Sequence, residues 1–356
     1  MKPISLRGHE RPVNVVKINF DGDLLFSGST DKKVNVWDSY TGERIGSYHC
    51  SAAVKSIDVT VDSEWLVAGT LTGSIEFFKV NGGKQVGLIQ LDAQIKTLEF
   101  SYGGKELLVL AEWFSKDKKD IEFVIYDFTK IEEMLIENSK REPKKSSIDG
   151  GKQDVLVVKP EKVFKIANSD QKFAQIAWGY LNKTIIGARQ NGTIEVYNLK
   201  GEMIQSVKAF GAAINSFSLV KDFSMMIVNS NEGSKIFDPE TLECIKTFKT
   251  EVPMNAGCIS PLIYDEKLGD KKTPKYHAII GGGVKARDAA LSKAGGFEIR
   301  LVNVIYEEEL GLIPGHFGPV NSLCFHNDGR GFCSGGEEGV IRIFRFDKNY
   351  FSDFEQ

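Results

Sequence analysis

Residues 25–38 read Leu-Phe-Ser-Gly-Ser-Thr-Asp-Lys-Lys-Val-Asn-Val-Trp-Asp. A short apolar run leads into a polar turn, and the turn into an alternating segment that ends on an aromatic residue. The shape returns about 41 residues on, at 67–79 (Val-Ala-Gly-Thr-Leu-Thr-Gly-Ser-Ile-Glu-Phe-Phe-Lys). It returns again at 186–198, at 228–238 and at 333–344. Alternation of period two is the mark of a half-buried strand. A second turn precedes each copy, at Asp21-Gly22, Asp62-Ser63, Gly103-Gly104, Leu181-Asn182, Asp222-Phe223 and Asp328-Gly329. Three or four strands in a unit of this length make one propeller blade.

Seven units fit the chain. Their aromatic slots fall on Trp37, Phe78, Tyr126, Tyr197, Phe237, a degenerate position at Val302, and Phe344. The expected fold is all-β, one seven-bladed propeller over residues 1–356. Two units are stretched by insertions, expected as a flexible loop at 138–153 and a loop at 264–275.

Composition agrees. The 356 residues are 42% hydrophobic and 26% charged, which excludes a disordered chain. Glycine, at 35 residues, exceeds the usual ~7%, as a fold of many tight turns requires. Lys and Arg number 45 against 48 acids, a net charge of −3 that argues against a general binder of nucleic acid or anionic membrane. The five cysteines, at 50, 244, 258, 324 and 333, show no metal-site spacing, and buried free thiols of a reducing compartment are expected. The N-terminus has no apolar signal core and no run of 18 apolar residues occurs. A cytoplasmic protein without a membrane segment is expected.

Gly8-His9 with Trp37-Asp38, and Gly315-His316 near Phe344, resemble the hallmarks of the WD-repeat β-propellers. That resemblance implies that Pro3–Leu6 completes the last blade. It also implies a structural hydrogen-bond chain of His9, Ser27, Asp31 and Trp37. Ser, His and Asp are also the parts of a hydrolytic triad. The degenerate copies favour the structural reading, since the Asp position holds Thr72, Asn191, Asn231 and Glu338. His49, preceded by Tyr48, stands where the second blade's Gly-His is expected. Gly281–Ala286 fits a dinucleotide-binding spacing, but strand-like flanks make a turn between strands the expectation. His277 and His326 lack ligand-spaced partners, so no metal is expected. The basic run Lys140–Lys145 lacks interleaved aromatics and reads as a solvated loop.

The ends of the chain are more specific. Met1–Arg11, Asp21–Phe26, Glu307–Gly311, Gly315–Pro319 and Ser334–Gly339 resemble the i subunits of eukaryotic translation initiation factor three. The chain departs from that family at Tyr48-His49 and Val284-Lys285. The resemblance implies a non-catalytic, cofactor-free scaffold, monomeric when isolated. It implies binding to a C-terminal helical segment of the b subunit and an N-terminal segment of the g subunit. The small ribosomal subunit would then be met indirectly, with no sequence-specific nucleic-acid contact. Two family aspartates that engage the b segment fall on Asp222 and Asp238. Each follows a strand at the same end of one antiparallel blade, with Glu307, Glu308 and Glu309 expected nearby on that rim. Such a rim suits a helix with basic and apolar residues. Another WD-repeat adaptor is the alternative; a propeller enzyme would need a cluster of acids or ligands around the axis, and none is apparent.

Overall fold

The computed structural model describes residues 2–113, 121–140, 161–166, 172–261, 276–284, 295–347 and 350. Strand β1 (Ile4–Arg7) opens the chain. Blade 1 is β2 (Val13–Ile18), β3 (Leu24–Ser29), β4 (Lys33–Asp38) and β5 (Arg44–His49); blade 2 is β6 (Val54–Val59), β7 (Trp65–Thr70), β8 (Ser74–Lys79) and β9 (Gln85–Gln90). Blade 3 holds β10 (Ala93–Phe100), β11 (Glu106–Trp113), β12 (Ile121–Asp127), helix α1 (Phe128–Lys140) and β13 (Lys162–Ile166). Blade 4 is β14 (Phe173–Trp178), β15 (Thr184–Arg189), β16 (Thr193–Asn198) and β17 (Met203–Lys208). Blade 5 is β18 (Ile214–Leu219), β19 (Met226–Ser230), β20 (Gly233–Phe237) and β21 (Cys244–Lys249). Blade 6 is β22 (Met254–Ile259), β23 (His277–Gly282), β24 (Ile299–Asn303) and β25 (Glu308–Ile313); β26 (Val320–Phe325), β27 (Gly331–Gly336) and β28 (Val340–Arg345) begin blade 7.

Each blade is a four-stranded antiparallel sheet in chain order, except the last, which is completed by β1 beside β28. Ile4 lies opposite Ile343 and Arg7 opposite Val340. The fold class and the closing strand are thus as the repeat implied. All seven slot residues, Val302 included, are at most 5% exposed and pack between blades. The degenerate slot works because burial, not aromaticity, is what the third strand needs there.

The first insertion differs from expectation. Asn138–Lys140 form the last turn of α1; the remainder of 138–153, and all of 264–275, lie outside the described residues. Asp127 caps α1, its Oδ1 accepting the Thr129 N–H at 3.1 Å. Phe128, Ile131 and Leu135 share one face and are buried. That face lies on β9 of blade 2, where the Trp65 indole donates to Glu132 at 3.1 Å. A helix from the third-to-fourth-strand connection of one blade therefore fills the outer groove against the preceding blade.

The first strands line a central channel and are stitched to their neighbours by side chains. Ser56 and Asp58 accept from the Leu98 and Phe100 N–H groups, and Thr97 and Glu99 from those of Ile176 and Trp178. Lys17 pairs with Asp58 at 2.6 Å beside Glu99. Burial pushes the Glu99 carboxyl up to about 7, with Asp58 adding to the push and Lys17 and the Trp178 N–H opposing it. A carboxyl raised in the folded state favours folding while protonated, and loses that advantage as pH rises from about 4.5 towards 7. Glu99→Gln is therefore expected to match the parent near pH 5 and to melt a few degrees higher at pH 8. The gain is bounded by about 3 kcal/mol, and melting curves across that range check it.

Candidate protein-docking rim

The turns of each blade are built by short polar residues that free the backbone to reverse. In blade 1, Asp38 Oδ1 accepts the Tyr40 and Thr41 N–H groups. Asp238 repeats this in blade 5, its Oδ1 accepting from Glu240 at 2.7 Å and Thr241 at 3.1 Å. Asp222 Oδ1 accepts from the Ser224 N–H at 3.0 Å and hydroxyl at 2.7 Å. Phe223 takes the left-handed position of that turn, with φ 59°. The register sets Leu219 opposite Met226, Met226 opposite Phe237 and Phe237 opposite Cys244, so both aspartates leave the same end of the sheet. Each uses Oδ1 locally and leaves Oδ2 without a partner among the described residues.

The three glutamates follow β24, as the chain order requires. Only Glu307 lies in the β24–β25 connection, with φ 58°; Glu308 and Glu309 already belong to β25. Glu307 meets Lys246 of blade 5 at 3.2 Å, and Glu309 meets Arg300 at 2.6 Å. Two of the three charges are thus already countered, and the Lys246 pair ties blade 6 to blade 5. Ile245 in β21, Ile305 and Tyr306 in the β24–β25 turn, and Leu310 and Leu312 in β25 are exposed, with Tyr306 at 70%. In blade 3 the corresponding third-to-fourth-strand connection carries α1. Between blades 5 and 6 the connection is a short turn, and no helix of the described residues covers it.

The Ser, His and Asp of blade 1 come together as a chain. His9 Nδ1 and Asp31 Oδ2 are 2.9 Å apart, as are His9 Nε2 and the Ser27 hydroxyl; the Trp37 indole donates to that hydroxyl at 2.9 Å. Burial lowers the His9 pKa below the ordinary imidazole value. Ser27 has no exposed surface and its oxygen already receives the indole N–H, so no substrate reaches it. Blade 7 repeats the chain with His316, Ser334 and Glu338, and Arg342 donates to Glu338 at 2.7 Å. Burial pushes the Glu338 carboxyl up, but His316 and Arg342 hold it down to about 2.

Other blades use chemistry the repeat pattern did not reveal. His49 is exposed; the second blade's position is taken by Ser51, which donates to the buried Glu76 at 2.5 Å. In blade 4, Arg189 meets Glu195 at 2.7 Å, Tyr197 donates to the same carboxylate, and the guanidinium lies 4.1 Å over the Phe173 ring. The available signal was a charged residue two places before the aromatic slot, as at Glu76, Glu195 and Arg342. Gly281 and Gly282 end strand β23, where a side chain at Gly282 would meet the Pro253 carbonyl, and Gly283 leaves it with φ 117°; Lys285 and Ala286 lie outside the described residues. One further expectation is corrected: Cys244 is exposed, while Cys50, Cys258 and Cys333 are buried and free. Among the described residues no cluster of metal-ligating side chains occurs and no helix is long and apolar enough to cross a membrane.

The family model EIF3I matches residues 1–356. The chain is 37% identical over 360 residues to eukaryotic translation initiation factor 3 subunit I of Xenopus laevis, spanning 100% of this chain and 99% of that protein. It is 36% identical over 361 residues to the Homo sapiens protein of that name, with 100% and 99% covered. To the Drosophila grimshawi protein it is 35% identical over 362 residues, with 99% of each covered.

Proposed function

Since the chain belongs to the family of subunit I of eukaryotic translation initiation factor 3, we propose that it is a non-catalytic scaffold of that factor, working in the cytoplasm. Its blade 5–6 rim receives a basic, amphipathic helical segment of the b subunit, with Asp222 and Asp238 pairing to Arg or Lys of that helix. A segment of the g subunit binds as well, and the small ribosomal subunit is engaged through the assembled factor. The observation that carries this reading is that two carboxylates, each with an oxygen to spare, leave the same end of blade 5, where Lys246 ties the blade to Glu307 of blade 6 and apolar side chains of both blades are exposed. An apolar seam flanked by opposite charge is what lays an amphipathic helix into a groove.

The test is copurification of the full chain with the C-terminal segment of its own b subunit. A stoichiometric complex supports the reading, and no complex would favour an adaptor role with another partner. Tyr306, as an exposed aromatic at the groove, is expected to anchor the helix. Tyr306→Ala should weaken the complex about tenfold or more with an unchanged melting temperature, read by calorimetry.

A further inference from the structure

At the opposite end of the channel from Asp222 and Asp238, the mouth widens into a cavity of about 970 Å³. In every blade but the third, the second residue of the first strand faces it. In blades 1, 5, 6 and 7 that residue is an asparagine: Asn14, Asn215, Asn255 and Asn321. Each side-chain NH₂ donates to the first strand of the next blade, at the carbonyls of Val54 (2.6 Å), Met254 (2.8 Å), Val320 (3.2 Å) and Val13 (3.1 Å). A backbone carbonyl only accepts, so these bonds fix which edge of each amide is NH₂ and which is oxygen. Three of the four donate a second time, to Thr30, Asn231 and Glu337.

The consequence is an imbalance. Each of the four amides spends a donor on the next blade, and three spend the second within their own, while none of their Oδ1 atoms accepts a bond from the described residues. None of these oxygens is a fully buried atom without a partner, and all four residues line the cavity. Glu337, with one oxygen receiving Asn321, adds negative charge to the same wall. Lys55 and Lys96 stand on the facing wall, in blades 2 and 3, and Lys96 is held by Glu112 at 3.1 Å. A wall of acceptors with one carboxylate calls for a ligand with several donors and a positive charge. Guanidinium, planar and with five N–H groups, meets that need better than an ammonium.

We propose that this channel mouth binds an arginine side chain of a peptide segment, held by the asparagine oxygens of blades 5, 6, 7 and 1 and by Glu337. The facing lysines orient the segment by keeping its cationic group on the acceptor wall. The site lies at the other end of the channel from the docking rim and does not depend on it.

The probe is acetyl-Gly-Arg-Gly-amide, compared with the same peptide carrying citrulline, which has the shape but not the charge. Titrated into the full chain labelled with ¹⁵N, the arginine peptide is expected to shift the side-chain amide resonances of the four asparagines and to bind about tenfold more tightly than citrulline. Glu337→Gln, which keeps an acceptor for Asn321, should weaken binding about fivefold or more without changing the melting temperature. Asp222→Lys should leave it unaltered. Equal affinity for the two peptides, shifts confined to other residues, or indifference to Glu337→Gln would each overturn the assignment.

Discussion

Combining Asp222→Lys with Asp238→Lys is expected to abolish binding of the b-subunit segment. Each substitution removes an acceptor for a basic residue of the helix and sets a like charge in its place. Truncating one partner of a desolvated pair typically costs ~2–5 kcal/mol, and reversal costs no less. The loss should therefore exceed about thirtyfold even if only one of the two pairs is desolvated. The geometry also separates charge from fold. Both aspartates hold their own turns through Oδ1, so the lysines sacrifice two short-range bonds each and a modest part of stability, about 1 kcal/mol per turn. Asp222→Asn with Asp238→Asn keeps that acceptor and should fold as the parent does while still weakening the complex. Calorimetry and a melting curve on both double variants decide the matter. Tight binding by the lysine form would remove these residues from the interface.

The second large effect lies in blade 4. Arg189→Ala is expected to destabilise the protein by roughly 3–5 kcal/mol, lowering the melting temperature on the order of 10 °C. Glu195 would then remain in the blade with only the Tyr197 hydroxyl for company, and Phe173 would lose the cation over its ring. The cost is that of a stranded charge, not the worth of the pair. Replacing the whole group, Arg189→Met with Glu195→Leu and Tyr197→Phe, should return most of the stability, because a buried ion pair exchanged for packed apolar groups is often close to neutral. If the triple variant melted as low as Arg189→Ala, the loss would belong to packing instead.

Much of the architecture was legible because it repeats. Burial of one third-strand residue per unit fixes a period, and the period survives even where Trp gives way to Val302. The closing strand was legible from the Gly8-His9 hallmark, since a segment ahead of it has only one open edge to join. The polar chains were legible only where the hallmark residues persisted, in blades 1 and 7. Ser51 with Glu76, and Arg189 with Glu195, solve the same problem of binding neighbouring strands with different groups, and no spacing rule connects them to His9. The last turn of α1 was hidden because its connection is polar from Asn138 onward, and a polar run reads as a loop whether or not a helix leads into it. At the rim, sequence placed the two aspartates on one end of the blade, but not the Lys246 and Arg300 partners that counter two of the glutamates.

The pairing of β1 with β28 joins the first strand of the described residues to the last, and that fixes the order of assembly. On a ribosome adding ~5–20 residues each second, β1 waits on the order of half a minute for its partner. Each of blades 1 to 6 is continuous in sequence and has its strands in hand as it emerges. Blade 7 does not, so the nascent chain is an open arc with two unsatisfied edges until β28 has been made. Contacts so far apart in sequence form late. Sealing the ring is therefore the step most exposed to mispairing between chains, and a chaperone that shields Ile4–Arg7 would act at the point of greatest need.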